Sequence, residues 1–152
     1  MLGDGEEREA LEALAGDFKS CAPWEDETGK PTIYFPGFRQ IEELPKFYGN
    51  ASAFIHPAQQ EPWGLVINEA MAAGLPILSS RNVGAAEELV DHRINGWTFN
   101  ADSISEIQIY LEQLLRTTEE ERTKMGRASQ RILAERCPVE AFGKGMAKAL
   151  KS

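Results

Sequence analysis

Glu61-Pro62-Trp63-Gly64-Leu65-Val66-Ile67-Asn68-Glu69-Ala70-Met71-Ala72-Ala73-Gly74-Leu75-Pro76-Ile77-Leu78 decides the reading of this chain, because it sets two carboxylates eight residues apart around the start of a helix. Val66, Ile67, Ala70 and Met71 recur at the spacing of one apolar helical face, Pro62 stands before the start, and Gly74-Leu75-Pro76 cannot continue the element. A short helix beginning near Gly64 is expected. Its first amides have no intrahelical acceptor and carry the positive end of the helix dipole, so the backbone of Trp63, Gly64, Leu65 and Val66 is suited to a phosphate oxygen. Gly64 permits close approach of a ligand to that backbone.

Helical side chains lean toward the N-terminus, which lets Glu69, one turn after Leu65, turn back toward a ligand that Glu61 meets from the preceding loop. Carboxylates repel a diphosphate, so their natural partners are hydroxyls, and an ionised acid can accept two hydrogen bonds from a vicinal diol. Ribose and hexose both carry such diols. Phosphate and diol on one ligand describe a nucleotide-sugar.

Outward from this stretch, short apolar runs alternate with amphipathic segments, the pattern of βα units and a mostly parallel, Rossmann-like sheet flanked by helices. A helix is expected from Glu6, with Leu11, Leu14, Ala15 and Phe18 on one face, followed by a polar loop over 24–30 and a short strand over Thr32–Phe35. Ile41, Leu44, Phe47 and Tyr48 form the next helical face, leading to a strand over Ala53–His56. Further strands are expected over Pro76–Ser79 and Gly96–Phe99, the latter after an Asn95-Gly96 turn, with a short helix over Ala85–Val90 between them. Three helices close the chain. One opens with Ser103-x-x-Glu106 and turns Ile104, Ile107, Leu111, Leu114 and Leu115 inward. The second opens with Thr118-x-x-Glu121 and runs toward Arg136, and the third, over 138–152, can begin at Pro138.

A length of 152 residues with 42% hydrophobic content fits one domain over 1–152 with one continuous core. The net charge of -8 argues against nucleic acid or an anionic membrane as a broad-surface partner, since both require a basic footprint. Cys21 and Cys137 form neither a disulfide scaffold nor a metal-binding spacing and read as reduced thiols. No signal-peptide pattern opens the chain, which leaves a cytoplasmic address as the expectation. No Ser-His-acid set or G-x-S-x-G is present, so covalent hydrolase chemistry is not expected. His56, which ends an apolar strand, reads as a structural residue, and His92 as a solvated one.

The Glu61-to-Glu69 run resembles the Glu-x7-Glu signature of retaining GT-B glycosyltransferases, glycosyltransferase group 1 or family 4, which includes lipopolysaccharide, mannosyl and sucrose-related transferases. The likeness extends to Gly37-Phe38-Arg39, the passage from Leu44 to Ala53, Phe54-Ile55-His56-Pro57, the run from Val83 to Val90, and Asn95-Gly96. It implies the C-terminal, donor-binding half of a GT-B fold, truncated at its N-terminus. The first βα unit, which supplies an Arg and a Lys for the diphosphate, and a preceding acceptor-binding domain are not found in the sequence. Gly3-Asp4-Gly5 then reads as the turn leaving that unit's strand.

By the same resemblance Glu61 is the catalytic residue, holding or orienting the transferred sugar. Glu69 binds ribose hydroxyls, the Trp63–Val66 amides stabilise the departing diphosphate, and Phe38 and Arg39 lie against the base. Ala85 stands where the family usually has a second Gly, and Glu88 fits the family acid better than Glu87. Transfer is metal-independent in the resembled enzymes, so no metal or cofactor is expected beyond the nucleotide-diphosphate sugar itself, and polysaccharide biosynthesis is the implied setting. Three partners are expected: the donor, an acceptor domain or partner chain, and a second copy paired through an exposed sheet. The alternative is a non-catalytic nucleotide-sugar-binding module or subunit that works with a partner chain.

Overall fold

Three parallel strands, β1 (Phe54–His56), β2 (Ile77–Ser80) and β3 (Gly96–Phe99), lie in the order β1-β2-β3. Phe54 pairs with Ile77, and Ile77 with Gly96. Parallel neighbours need crossover connections, and helices α3 (Leu65–Ala72) and α4 (Gly84–Leu89) supply them. The computed structural model describes residues 3–18 and 32–138. The expected helix over 138–152 and the loop over 24–30 fall wholly or almost wholly outside these residues. By contacts the chain divides into two compact units, Met1–Lys46 and Phe47–Ser152, and the sheet belongs to the second.

All four residues of β2 are buried, as expected of a central parallel strand covered on both faces. Successive side chains of β2 point to opposite faces. Ile77 joins a core cluster with Ile67, Ala70 and Met71 of α3, Ala85, Ala86 and Leu89 of α4, and Ile132. Leu78 joins the other cluster with Trp97, Phe99 and Met125, against which Ile107, Tyr110, Leu111 and Leu114 of α5 (Ile104–Arg116) pack. Ile132 and Met125 both come from α6 (Glu119–Arg136), which therefore serves both clusters. Of the five apolar residues expected inward on α5, Ile104 and Leu115 stand 73% and 80% exposed. Leu115 is exposed although its neighbour Leu114 packs on the core, and Ile104 lies in the first turn of α5, one turn before Ile107.

The end of α3 is closed twice. Gly74, with φ 76°, lets its own amide donate to Met71 O and the Leu75 amide donate to Ala70 O, both bonds of the Schellman motif. From α6, Ser129 Oγ donates to Leu75 O at 2.8 Å and Gln130 Nε2 to Ala72 O at 3.1 Å. Asn95 closes a turn over 93–95, as expected, though the strand it leads into is parallel and not a hairpin partner. It is buried, its side chain accepting from the Asp91 amide and donating to Leu89 O, and it delivers the chain into parallel β3.

The first unit contains α1 (Arg8–Ala15) and a 3-10 turn, Gly16–Phe18. Of the expected apolar face of α1, Ala15 is buried, whereas Leu14 and Phe18 stand 83% and 59% exposed. No strand forms over Thr32–Phe35 among the described residues. Ile33 N donates to Phe18 O at 2.6 Å, and Arg8 reaches across to Phe35 O at 2.9 Å. Ile33 is a single bridge position, and a strand requires a run of them. The boundary between the units falls within α2 (Leu44–Asn50), whose first turn includes Pro45.

Candidate functional site

Gly64 starts α3 in a left-handed conformation, φ 88° and ψ 70°. A Cβ at this position would lie 2.9 Å from Val83 Cγ1 and 3.1 Å from Glu61 Cγ, so the site requires glycine for its backbone angle and for the crowding around it. Ile67 N donates to Gly64 O at 2.9 Å, which opens the helical ladder and leaves the amides of Gly64, Leu65 and Val66 ahead of it. Leu65 is 68% exposed, unlike the buried Ile67 that follows it. The loop into the helix is fastened by Trp63, whose ring packs on the core and whose Nε1 donates to Asn68 Oδ1 at 3.1 Å.

Glu61 is held through its backbone. Its amide donates to Asn82 O at 3.1 Å and its carbonyl accepts from Gly84 N at 3.1 Å, pairing the loop with Val83 as an isolated parallel bridge. The side chain is half-buried beside Gly64, with Oε1 3.5 Å from the Trp63 amide. The same backbone contacts define the start of α4, where Ala85 N donates to Trp63 O at 2.8 Å. Ala85 thus places its amide on the protein rather than toward a ligand, and the Gly84–Ala85 turn acts as the clamp on the Glu61 loop.

His56, at the carboxyl end of β1, adjoins this cluster: its Nε2 is 3.9 Å from the Cβ position of Gly64 and is buried with no hydrogen-bond partner. Burial pushes its pKa below the usual histidine value, and the negative charge of Glu61 opposes that shift. Glu69 is half-buried on α3, and its Oε2 accepts from the Tyr48 hydroxyl at 2.8 Å. Burial raises the phenol's pKa well above its ordinary value, and the hydrogen bond to Glu69 and that residue's charge raise it further. Tyr48 consequently remains a donor across the working pH range.

Phe38 and Arg39 belong to the first unit. Phe38 is 69% exposed. Arg39 pairs Nη1 with Glu43 at 3.1 Å and donates Nη2 to Pro36 O at 2.9 Å, while its Nε is buried without a partner. Two of its three nitrogens are thereby committed locally.

The second unit therefore gathers Glu61, Trp63, Gly64, Leu65, Val66 and His56 at the head of α3, with Glu69 one turn further on and fastened to α2. Reading the sequence as a string of elements did not bring His56, taken there as a structural residue, or Tyr48 next to these residues. For Tyr48 a signal was present: a phenol on an otherwise apolar helical face needs a partner for its hydroxyl.

The family described as Glycosyl transferases group 1 matches residues 1–132 of the chain. Sulfoquinovosyl transferase of Arabidopsis thaliana is 31% identical over 121 residues, covering 78% of this chain and 21% of that protein. An uncharacterized glycosyltransferase of Methanocaldococcus jannaschii is 41% identical over 76 residues, covering 48% of this chain and 19% of the relative. The chain spans about a fifth of the length of these two relatives. Among solved structures, HepE of Anabaena in complex with UDP matches with a TM-score of 0.72 at 24% identity, over 99% of this chain and 39% of that one. The C-terminal domain of a glycosyl transferase group 1 family protein from Francisella tularensis matches with a TM-score of 0.61 at 23% identity, over 70% of this chain and 54% of that one. With a parallel sheet crossed by α3 and α4, a Glu-x7-Glu run at the head of α3 and a family match over 1–132, the chain belongs to the glycosyl transferases group 1 and corresponds in fold to the C-terminal half of the GT-B architecture.

Proposed function

We propose that this chain binds a nucleoside-diphosphate sugar and is the donor-binding portion of a retaining glycosyltransferase that moves the sugar to an acceptor hydroxyl. The head of α3 is the observation that carries this reading. Amides ahead of the helical ladder stand at the carboxyl end of a parallel sheet, where ligands of open α/β folds bind, with a carboxylate before them and another one turn after. Those amides are suited to the diphosphate, Glu69 to the ribose diol, and Glu61 to hydroxyls of the transferred sugar. In the transfer the bond from anomeric carbon to phosphate oxygen breaks, negative charge grows on the leaving diphosphate, and donors fixed in advance stabilise it. The acceptor hydroxyl bonds to the same anomeric carbon and passes its proton to the leaving phosphate. The UDP held by HepE supports nucleoside diphosphates as the ligand class to test.

Calorimetric or chemical-shift titration of the chain with UDP, GDP, ADP and UDP-glucose tests this reading. Saturable binding is expected for at least one, in the millimolar range, about -4 kcal/mol. Glu69→Gln should weaken nucleoside diphosphate and nucleotide-sugar alike by roughly tenfold, the scale of a hydrogen bond to a charged group. Glu61→Gln should weaken only the nucleotide-sugar. Equal losses for both variants on both ligands would contradict the division of roles, and no saturable binding of any of the four would remove the site.

A further inference from the structure

Glu69 does not stand alone on its helix. Its Oε2 accepts from Tyr48 Oη at 2.8 Å, across 21 residues of sequence. Tyr48 is itself rigidly placed: it is half-buried, packs against the core cluster that includes Ile67, Ala70 and Met71, and meets the Phe54 ring with centroids 6.0 Å apart at 52°. A glutamate carries three side-chain torsions, and a ligand that binds an unrestrained one must pay their entropy at the moment of binding. A phenol bolted to the core removes that cost beforehand. Chemical capacity is left over, because an ionised carboxylate offers about four acceptor sites and a single donor at Oε2 uses one of them. The raised phenol pKa agrees with a permanent donor here, one that does not compete with the ligand by accepting a proton back.

We propose that Tyr48 is the positioning residue for Glu69: its hydroxyl holds the carboxylate in the orientation that accepts a ribose diol, and so sets the preference of this site for ribonucleotides over deoxyribonucleotides. The proposal rests on the assignment of Glu69 to the ribose, and the experiment separates the two. Dissociation constants are measured for UDP, GDP and ADP and for their 2′-deoxy counterparts, with the wild-type chain, Tyr48→Phe, Glu69→Gln and the double variant. Wild type should prefer the ribo form, Glu69→Gln should bring the ratio to near one, and Tyr48→Phe should lower the ratio by roughly three- to tenfold, the scale of a typical net intramolecular hydrogen bond. In Tyr48→Phe the deoxy affinity should stay at its wild-type value, which reports an intact fold and distinguishes positioning from general support. Adding Tyr48→Phe to Glu69→Gln should change nothing further. A wild-type ratio in Tyr48→Phe beside a collapsed ratio in Glu69→Gln would overturn the role of Tyr48 alone. An equal loss on both ribo and deoxy forms in Tyr48→Phe would overturn it too. A wild-type ratio in Glu69→Gln would overturn the ribose assignment, as would failure of all six nucleotides to bind the wild-type chain, and the role of Tyr48 would fall with it.

Discussion

Helices α3 and α4 begin in similar settings and end up with opposite duties. Each follows a strand of the same parallel sheet, and each has a glycine at its start, Gly64 or Gly84. At α4 the first amides are taken: Gly84 N bonds to Glu61 O and Ala85 N to Trp63 O. At α3 the amides of Gly64, Leu65 and Val66 precede the ladder that begins at Ile67. In this fold the loop before the helix start left open, α3, is held by the donors of the other, α4. The loop carrying Glu61 and Trp63 keeps its shape because α4 spends its own orphan donors on that loop's carbonyls.

The sharpest way to break this pairing is Gly84→Ala. Its Cβ would stand 2.3 Å from Pro62 O and 3.2 Å from Pro62 C, backbone atoms that can give way only if the loop moves. Overpacking of this kind is expected to cost about 3 kcal/mol, on the order of 10 °C in Tm by calorimetry, and to abolish nucleotide binding with it. A wild-type Tm would show that the clamp is soft. Gly64→Ala comes next, placing a side chain at φ 88° and against Val83 and Glu61; strain of this type costs roughly 1 to 3 kcal/mol by chemical denaturation. Here the nucleotide titration should lose more than the fold does, and the reverse would mean that the amides of α3 are not the contact.

Trp63→Phe keeps an aromatic ring on the core and deletes the bond to Asn68, an expected loss of about 1 kcal/mol in denaturant. Amide exchange at Leu65 and Val66 should quicken relative to that at Ala85. The smallest effect expected is a pH dependence at His56. Its pKa is lowered in the folded chain, by burial against the opposing pull of Glu61, so the unfolded chain binds the proton more readily. Stability is then lost as pH falls below the ordinary histidine value of about 6.5 and levels off below the folded value. His56→Gln should flatten that segment of the stability-against-pH curve. An unchanged slope would assign it to other groups.

Much of the fold could be read from the sequence where the determinants are local. Pro62, Gly74 and Pro76 bracket α3 as expected, and the Thr118–Glu121 capping box forms with both of its bonds. Ser103 also caps its helix, through the Glu106 amide, but the Glu106 carboxylate turns to Asn100 N and Arg81 instead of completing the box. What could not be read depends on partners far along the chain. The Tyr48 hydroxyl calls for a partner, but which one is decided only when Glu69 is folded next to it. The amides of Ala85 give no sequence sign that Trp63 O will claim them. Ile104 and Leu115 fit the helical period as well as Ile107 does, and only the tertiary packing of α5 against Leu78, Trp97, Phe99 and Met125 decides which are covered. The carboxylates and glycine at the head of α3 were legible for the same reason as its boundaries: they lie within one short stretch.

The bonds from Ser129 and Gln130 to the far end of α3 join segments 54 and 58 residues apart. The carbonyls of Ala72 and Leu75 would lose these partners if α6 lifted, so opening of α6 is expected to be coupled to fraying of the end of α3. A ligand that grips the head of α3 therefore draws on, and reinforces, a contact made at the opposite end of the element. Protection against hydrogen exchange along α6 should rise when the proposed site is filled, which would carry the signal of occupancy to the other end of the element.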